Sequence, residues 1–152
     1  MGRGSDGDEN RDRDKDEDTG RQRQRQRQKV IFDTNALMVP SQFGVDVFDE
    51  VERLVGGYVA VVPRGVVNEL KSLATSDTDA EMGLEIADER CEVVEHETEG
   101  RKTDDVIVSI AENSDEVSAV VTNDRELIDR LLDVGVRVVR LRQRSHLQIK
   151  YP

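Results

Sequence analysis

The sequence predicts an α/β fold, a three-layer α/β/α sandwich around a central parallel sheet. Three observations carry that expectation. Short β-branched runs recur along the chain, most are followed by a stretch of helical periodicity, and glycine or polar residues punctuate them. Strands that alternate with helices need crossover connections, and right-handed crossovers give a parallel sheet covered on both faces.

Residues 1–28 come first and hold almost no apolar side chains: a mixed-charge block leads into four Arg-Gln repeats. Such a segment cannot bury enough surface to offset the entropy of ordering it. A disordered tail is expected there, followed by one domain over residues 29–149. Lys29-Val-Ile-Phe-Asp33 reads as a strand buried in a parallel sheet, and Val45 to Val55 as a helix ended by Gly56-Gly57. Tyr58 to Val62 is a second strand. Pro63 suits the first turn of the helix that runs through Leu70 and Leu73. Residues 78–90 form a weaker amphipathic helix, and Cys91 to Val94 a short third strand. Thr103-Asp104-Asp105 can open a helix whose apolar face is Val106, Ile107, Ile110 and Ala111. Val117 to Val121 is a fourth strand, Asp124 to Val134 a helix closed by Gly135, and Val136 to Leu141 a fifth strand. The remainder reads as a C-terminal tail.

Composition excludes several classes. A chain of 152 residues with 36% apolar content builds one modest core. No apolar run approaches the roughly 20 residues that span a bilayer, and the N-terminus is charged where a secretory signal is apolar. A soluble, cytoplasmic protein without membrane contact is expected. Cys91 is the single cysteine and there are two histidines, too few for an internal disulfide or a zinc site. His96 and His146 lie outside every motif and read as surface or packed side chains.

The formal charge is −11. The first 28 residues contain eight acids and eight bases, so of 33 acids and 22 bases, 25 and 14 fall in residues 29–152. The excess therefore belongs to the domain. Only five bases are lysine, and this balance resembles the surface of a protein from a salt-rich, halophilic archaeal cytoplasm. Such a charge speaks to solubility and non-specific binding.

Ligands of open parallel sheets bind at the carboxyl ends of the strands, and the residues at those positions are mostly acidic. Asp33 ends strand one, Glu69 lies on the helix after strand two, Asp104 and Asp105 open the helix after strand three, and Asp124 follows strand four. Clustered carboxylates repel one another unless a cation neutralises them. Oxygen-only ligands select Mg²⁺ or Mn²⁺, one ion or two, and such ions act on phosphate esters. Thr34, Asn35, Thr122 and Asn123 beside these acids are placed to orient them. With 25 acids among 124 positions, chance and helix capping also supply acids at sheet edges. The wording around them therefore matters.

Val30-Ile-Phe-Asp33-Thr-Asn-Ala-Leu37, Val62-Pro63 leading to Glu69-Leu70, Thr103-Asp104-Asp105-Val-Ile107 and Val121-Thr-Asn-Asp124-Arg-Glu-Leu127 occur in this order. Together they resemble the PIN-domain nucleases over about residues 29–149, most nearly the archaeal and eukaryotic type that matures small-subunit ribosomal RNA. The resemblance implies an α/β/α sandwich, Mg²⁺ or Mn²⁺, and endonucleolytic cleavage of single-stranded RNA to 5′-phosphate and 3′-hydroxyl ends. It assigns catalysis to Asp33, Glu69, Asp105 and Asp124, with Asp104 competing with Asp105 for the third ligand position. A homodimer and a ribosomal precursor particle are further partners it leaves open.

An aspartate-nucleophile phosphatase would need an acid where Asn35 stands. A catalytically silent RNA-binding scaffold for ribosome assembly and a toxin-type ribonuclease of a toxin-antitoxin pair remain as alternatives. Arg21, Arg23, Arg25 and Arg27 in the repeat either tether RNA phosphates or belong to a solvated linker, and Arg64 and Lys71 on the second helix are further candidates for RNA contact. Arg137, Arg140, Arg142 and Arg144 either contact RNA or shield an exposed sheet edge.

Overall fold

The computed structural model describes residues 27–152, so residues 1–26 of the expected tail lie outside the described part. Strand β1 (Gln28–Phe32) runs through Asp33 into α1 (Thr34–Phe43), and α2 (Val47–Val55) leads to β2 (Tyr58–Pro63). Helices α3 (Arg64–Leu73) and α4 (Thr78–Arg90) precede β3 (Glu92–Val94). The chain continues through α5 (Thr103–Asn113), β4 (Val117–Val121), α6 (Arg125–Asp133), β5 (Arg137–Arg142) and β6 (His146–Lys150). Gln28, which the sequence assigns to the tail, is the first residue of β1.

The six strands form one sheet in the order β3-β2-β1-β4-β5-β6. The pairs among β1 to β5 are parallel, and β6 is antiparallel to β5. From β1 the chain steps outward to β2 and β3, then crosses back to β4 on the other side of β1. That reversal makes the carboxyl ends of β1 and β4 the switch point of the sheet, where a crevice opens between diverging connections.

The central strands β1, β2 and β4 are buried on both faces, as parallel pairing between two helical layers requires: Val30, Ile31 and Phe32, Val61 and Val62, and Ala119 and Val120 are all core residues. Helix α1 packs on α4, α3 also packs on α4, and α2 lies against β6, while α5 and α6 pack on each other and on β4 and β5 respectively. Phe32 stacks on Phe48 of α2 with ring centroids 4.9 Å apart, and Tyr58 anchors the same helix by donating to the Phe48 carbonyl at 2.9 Å.

Two elements depart from the sequence reading. Helix α1 was not expected: its buried run Ala36, Leu37, Met38 and Val39 lacks a polar face, and Pro40 sits inside it. A helix apolar on most sides has little amphipathic signal. Strand β6 replaces the expected C-terminal tail. Gln143 and Arg144 both take positive φ, 56° and 61°, which makes a tight turn of the hairpin type and folds β6 back on β5. Strand β5 is therefore internal, and its arginines do not shield a sheet edge as anticipated. Instead Arg137 donates through Nε to the Ser118 carbonyl at 3.1 Å.

Candidate active site

Asp33 follows β1 and continues its pairing one residue further, its N–H donating to the Val121 carbonyl at 3.0 Å. The side chain turns back to cap α1, with Oδ1 accepting from the Thr34 N–H at 2.8 Å. Oδ2 accepts from the Thr122 hydroxyl at 2.8 Å and from Asn35 Nδ2 at 2.9 Å. The residue is only 4% exposed. Burial pushes its carboxyl up to about 6 from an ordinary 3.8; hydrogen bonds from Thr122 and Thr34 oppose the shift, and the charges of Asp104 and Glu69 add to it.

Thr122 ties β1 to β4. Its fully buried hydroxyl donates to Asp33 and accepts from the Asp124 N–H at 3.1 Å. Asp124 caps α6, Oδ1 accepting from the Leu127 N–H at 3.0 Å. Asn35 Oδ1 accepts from the Asn123 N–H at 2.8 Å, and Asn123 Oδ1 from the Leu141 N–H at 2.9 Å, so three strand ends are held by side-chain amides and one hydroxyl. Glu69, exposed on α3, reaches the same corner: its Oε1 accepts from the Thr34 hydroxyl at 2.5 Å. Asp33, Glu69 and Asp124 thus come to one edge of the sheet.

The two adjacent aspartates of α5 part company. Asp104 is half-buried and its carboxyl is raised, first by burial, then by the charges of Asp124 and Glu69, with Arg130 opposing. Asp105 is exposed and pairs with Arg130, its Oδ1 2.9 Å from Nη2. The fold therefore sets Asp104 against Asp33, Glu69 and Asp124, and turns Asp105 toward α6. Arg130 was not singled out in the sequence; it sits one turn beyond Glu126 on a helix whose charges read as ordinary surface.

Of the cations assigned to RNA, Arg21, Arg23 and Arg25 lie outside the described residues. Arg27 lies at the amino end of β1 beside Tyr58, Glu89, Arg90 and Glu92, at the opposite end of the sheet from Asp33. Arg64 pairs with Glu95 at 2.5 Å and, with Lys71, Val67, Leu84 and Val93, borders a groove of about 440 Å³. A separate polar hollow of about 360 Å³ adjoins Asp104, bounded by Arg101, Lys102, Asp105, Glu126 and Arg130.

Among the described residues, no three Asp, Glu, His or Cys side chains stand close enough to form a ready-made ion cage. The charges of Asp33, Glu69, Asp104 and Asp124 nevertheless reach one another. Coulomb repulsion acts well beyond ligand distance, so both facts describe an open cluster of carboxylates. Its donors are carboxylate, hydroxyl and amide oxygens, without thiolate or imidazole. That chemistry fits a hard divalent cation, which would offset both the burial that chiefly raises the Asp33 and Asp104 carboxyls and the smaller repulsion among the acids.

The chain belongs to the PIN-like domain family, whose description, PIN like domain, matches residues 30–144. PIN domains are typically nucleases. Among solved structures, the chain is similar to the one described as "Structure of the PIN domain endonuclease Utp24", with a TM-score of 0.71 and 24% identity over 82% of this chain and 92% of that one. It is also similar to a domain of a functionally unknown protein from Methanocaldococcus jannaschii DSM 2661, with a TM-score of 0.53 and 18% identity over 76% of this chain and 91% of the other. At these identities the likeness shows the fold. No curated protein sequence matches the chain. Among the described residues, no helix is long and apolar enough to cross a membrane.

Proposed function

We propose that the protein is a divalent-metal-dependent endoribonuclease that cleaves single-stranded RNA, with Asp33, Glu69, Asp104 and Asp124 as its metal-holding carboxylates. The observation that carries this reading is the buried carboxyl of Asp33 at the switch point of the sheet, pushed up to about 6 while the charges of Asp104 and Glu69 bear on it. A carboxylate held there at an energetic cost has a use for a cation. Asp104 takes the third place in preference to Asp105, which is spent on Arg130.

Held by Asp33, Glu69, Asp104 and Asp124, Mg²⁺ or Mn²⁺, as one ion or two, would supply a water of lowered pKa and stabilise the charge on the attacking and leaving oxygens. The chain's own residues supply the rest. Thr122 and Asn35 hold the Asp33 carboxylate, Thr34 holds Glu69, and the Leu127 N–H holds Asp124. Helices α1, α3, α5 and α6 all begin at this edge, and the partial positive charge of their N-termini favours the phosphodiester. In the reaction a water oxygen bonds to phosphorus as the bond to the 3′ oxygen breaks, leaving 5′-phosphate and 3′-hydroxyl ends.

Precursor ribosomal RNA is the substrate toward which the sequence resemblance points, and the fold match to a PIN domain endonuclease supports the class of reaction. The acidic surface makes assays in concentrated salt appropriate, where repulsion of RNA is screened. The test is cleavage of a single-stranded RNA oligonucleotide with Mn²⁺, expected to vanish with chelator and with Asp33→Asn. Equal cleavage by that variant would overturn the assignment. Binding of RNA without cleavage under any divalent ion would favour a silent scaffold instead.

A further inference from the structure

Helix α3, which carries Glu69, begins without a cap of its own. Its N-cap residue is Pro63, whose side chain has no acceptor and makes no capping hydrogen bond. The first N–H groups of any helix need acceptors from outside it. At Gly65, the second helical residue, the acceptor is His96: the Gly65 N–H donates to Nε2 at 3.0 Å, across 31 residues of chain. The other ring nitrogen, Nδ1, lies 2.9 Å from the Glu97 carbonyl oxygen. A carbonyl only accepts and a backbone N–H only donates. The two contacts together therefore require a neutral imidazole with its hydrogen on Nδ1 and its lone pair on Nε2.

The same residue is where two helices of the site meet. A Cβ at Gly65 would stand 2.8 Å from Thr103 Oγ1 and 3.4 Å from His96 Cε1. Gly65 has no left-handed backbone to accommodate, so glycine is required there by closeness alone. Thr103 is the first residue of α5 and precedes Asp104, while Glu69 stacks one turn beyond Gly65 on α3. The N-termini of the helices that present Glu69 and Asp104 thus abut at one point, and the half-buried imidazole is packed into it.

We propose that His96 is a positioning residue for the carboxylate cluster: by accepting the Gly65 N–H at the α3–α5 junction it sets the relative placement of Glu69 and Asp104, and so the affinity for the divalent ion. This rests on the reading that those carboxylates hold the ion. A partner that only orients a ligand typically matters tenfold or more in metal affinity.

The test uses the full chain with His96→Leu, which removes the acceptor at similar bulk, and His96→Gln, which keeps an acceptor oxygen at about the reach of Nε2. Amide hydrogen exchange is followed without metal, and Mn²⁺ binding is measured by calorimetry. The expected result for His96→Leu is exchange at Gly65 faster by about fivefold, the weight of a lost cap, and Mn²⁺ affinity weaker by about tenfold, with both restored in His96→Gln. Leu147→Ala, at the one buried position of β6 at the other edge of the sheet, lowers overall stability and leaves Mn²⁺ affinity unchanged, which separates positioning from a general loss of structure. Unchanged exchange at Gly65 or unchanged Mn²⁺ affinity in His96→Leu overturns the proposal. If the wild-type protein takes up no Mn²⁺, the metal reading of the site fails, and the exchange arm still decides whether His96 caps α3.

Discussion

At the scale of single residues, Asp33 works against its own charge. Its folded carboxyl titrates at about 6 and an ordinary one at 3.8, so between those values the folded protein takes up a proton that the unfolded chain does not. Stability from this group rises as pH falls through that window, and the cost is fully present above it, at about 3 kcal/mol. Asp33→Asn removes the titration. In metal-free buffer the unfolding free energy of the variant relative to wild type should be most favourable at pH 7 and decline steadily toward pH 4, read by urea denaturation at each pH. A difference that stays flat across that range would mean the charge carries no such cost.

The neighbours Asp104 and Asp105 differ at the same scale. Asp104→Asn is expected to weaken Mn²⁺ binding by about tenfold or more, whereas Asp105→Asn frees Arg130 and leaves the affinity nearly unchanged. Calorimetric titration of both variants checks this, and the reverse ranking would return the third ligand position to Asp105. The sequence could not separate them. Both open the same helix, and which carboxyl turns toward Asp124 depends on how α5 sits against α6.

Among the elements, α1 and α4 cross backbone to backbone at close range. A Cβ on Gly83 would stand 3.0 Å from the Leu37 carbonyl oxygen and 3.3 Å from Leu70 Cδ2. Alanine in place of a helical glycine normally stabilises by up to about 1 kcal/mol, but here it must displace the backbone of a buried helix. Gly83→Ala should therefore destabilise the protein by about 1–2 kcal/mol, seen as a lower denaturation midpoint at unchanged slope. A higher midpoint would show that α1 yields freely. The same crossing explains why α1 escaped notice in the sequence: a helix packed against α4, α2 and α3 needs no polar stripe. Strand β6 escaped because its apolar residues are only Leu147 and Ile149, and its pairing depends on a turn through Gln143 and Arg144 with no glycine to announce it.

Taken as a whole, the molecule separates its two ends. The chain enters β1 at Arg27, among Glu89, Arg90 and Glu92, and reaches Asp33 only after the five residues of the strand, roughly 17 Å away. Removing residues 1–26 should therefore leave Mn²⁺ affinity and kcat unchanged, with any effect confined to RNA affinity and its salt dependence. Steady-state cleavage at two salt concentrations checks this, and a fall in kcat would mean that the segment reaches the carboxylates.

The sequence by itself determined the alternation of strands and helices, the acids that follow the strands, and the polar residues beside them. Those depend on periodicity and on neighbours in the chain, because a β-branched run and the residue that ends it are local facts. Only the tertiary structure decided that β4 returns beside β1, which brings the Thr122 hydroxyl to Asp33 across 89 positions. It alone decided that Asp104 and not Asp105 faces the cluster, and that His96, outside every motif, closes the start of α3. Each of these is a contact between segments far apart in the chain, set by how helices pack on a twisted sheet and carrying no local pattern to read.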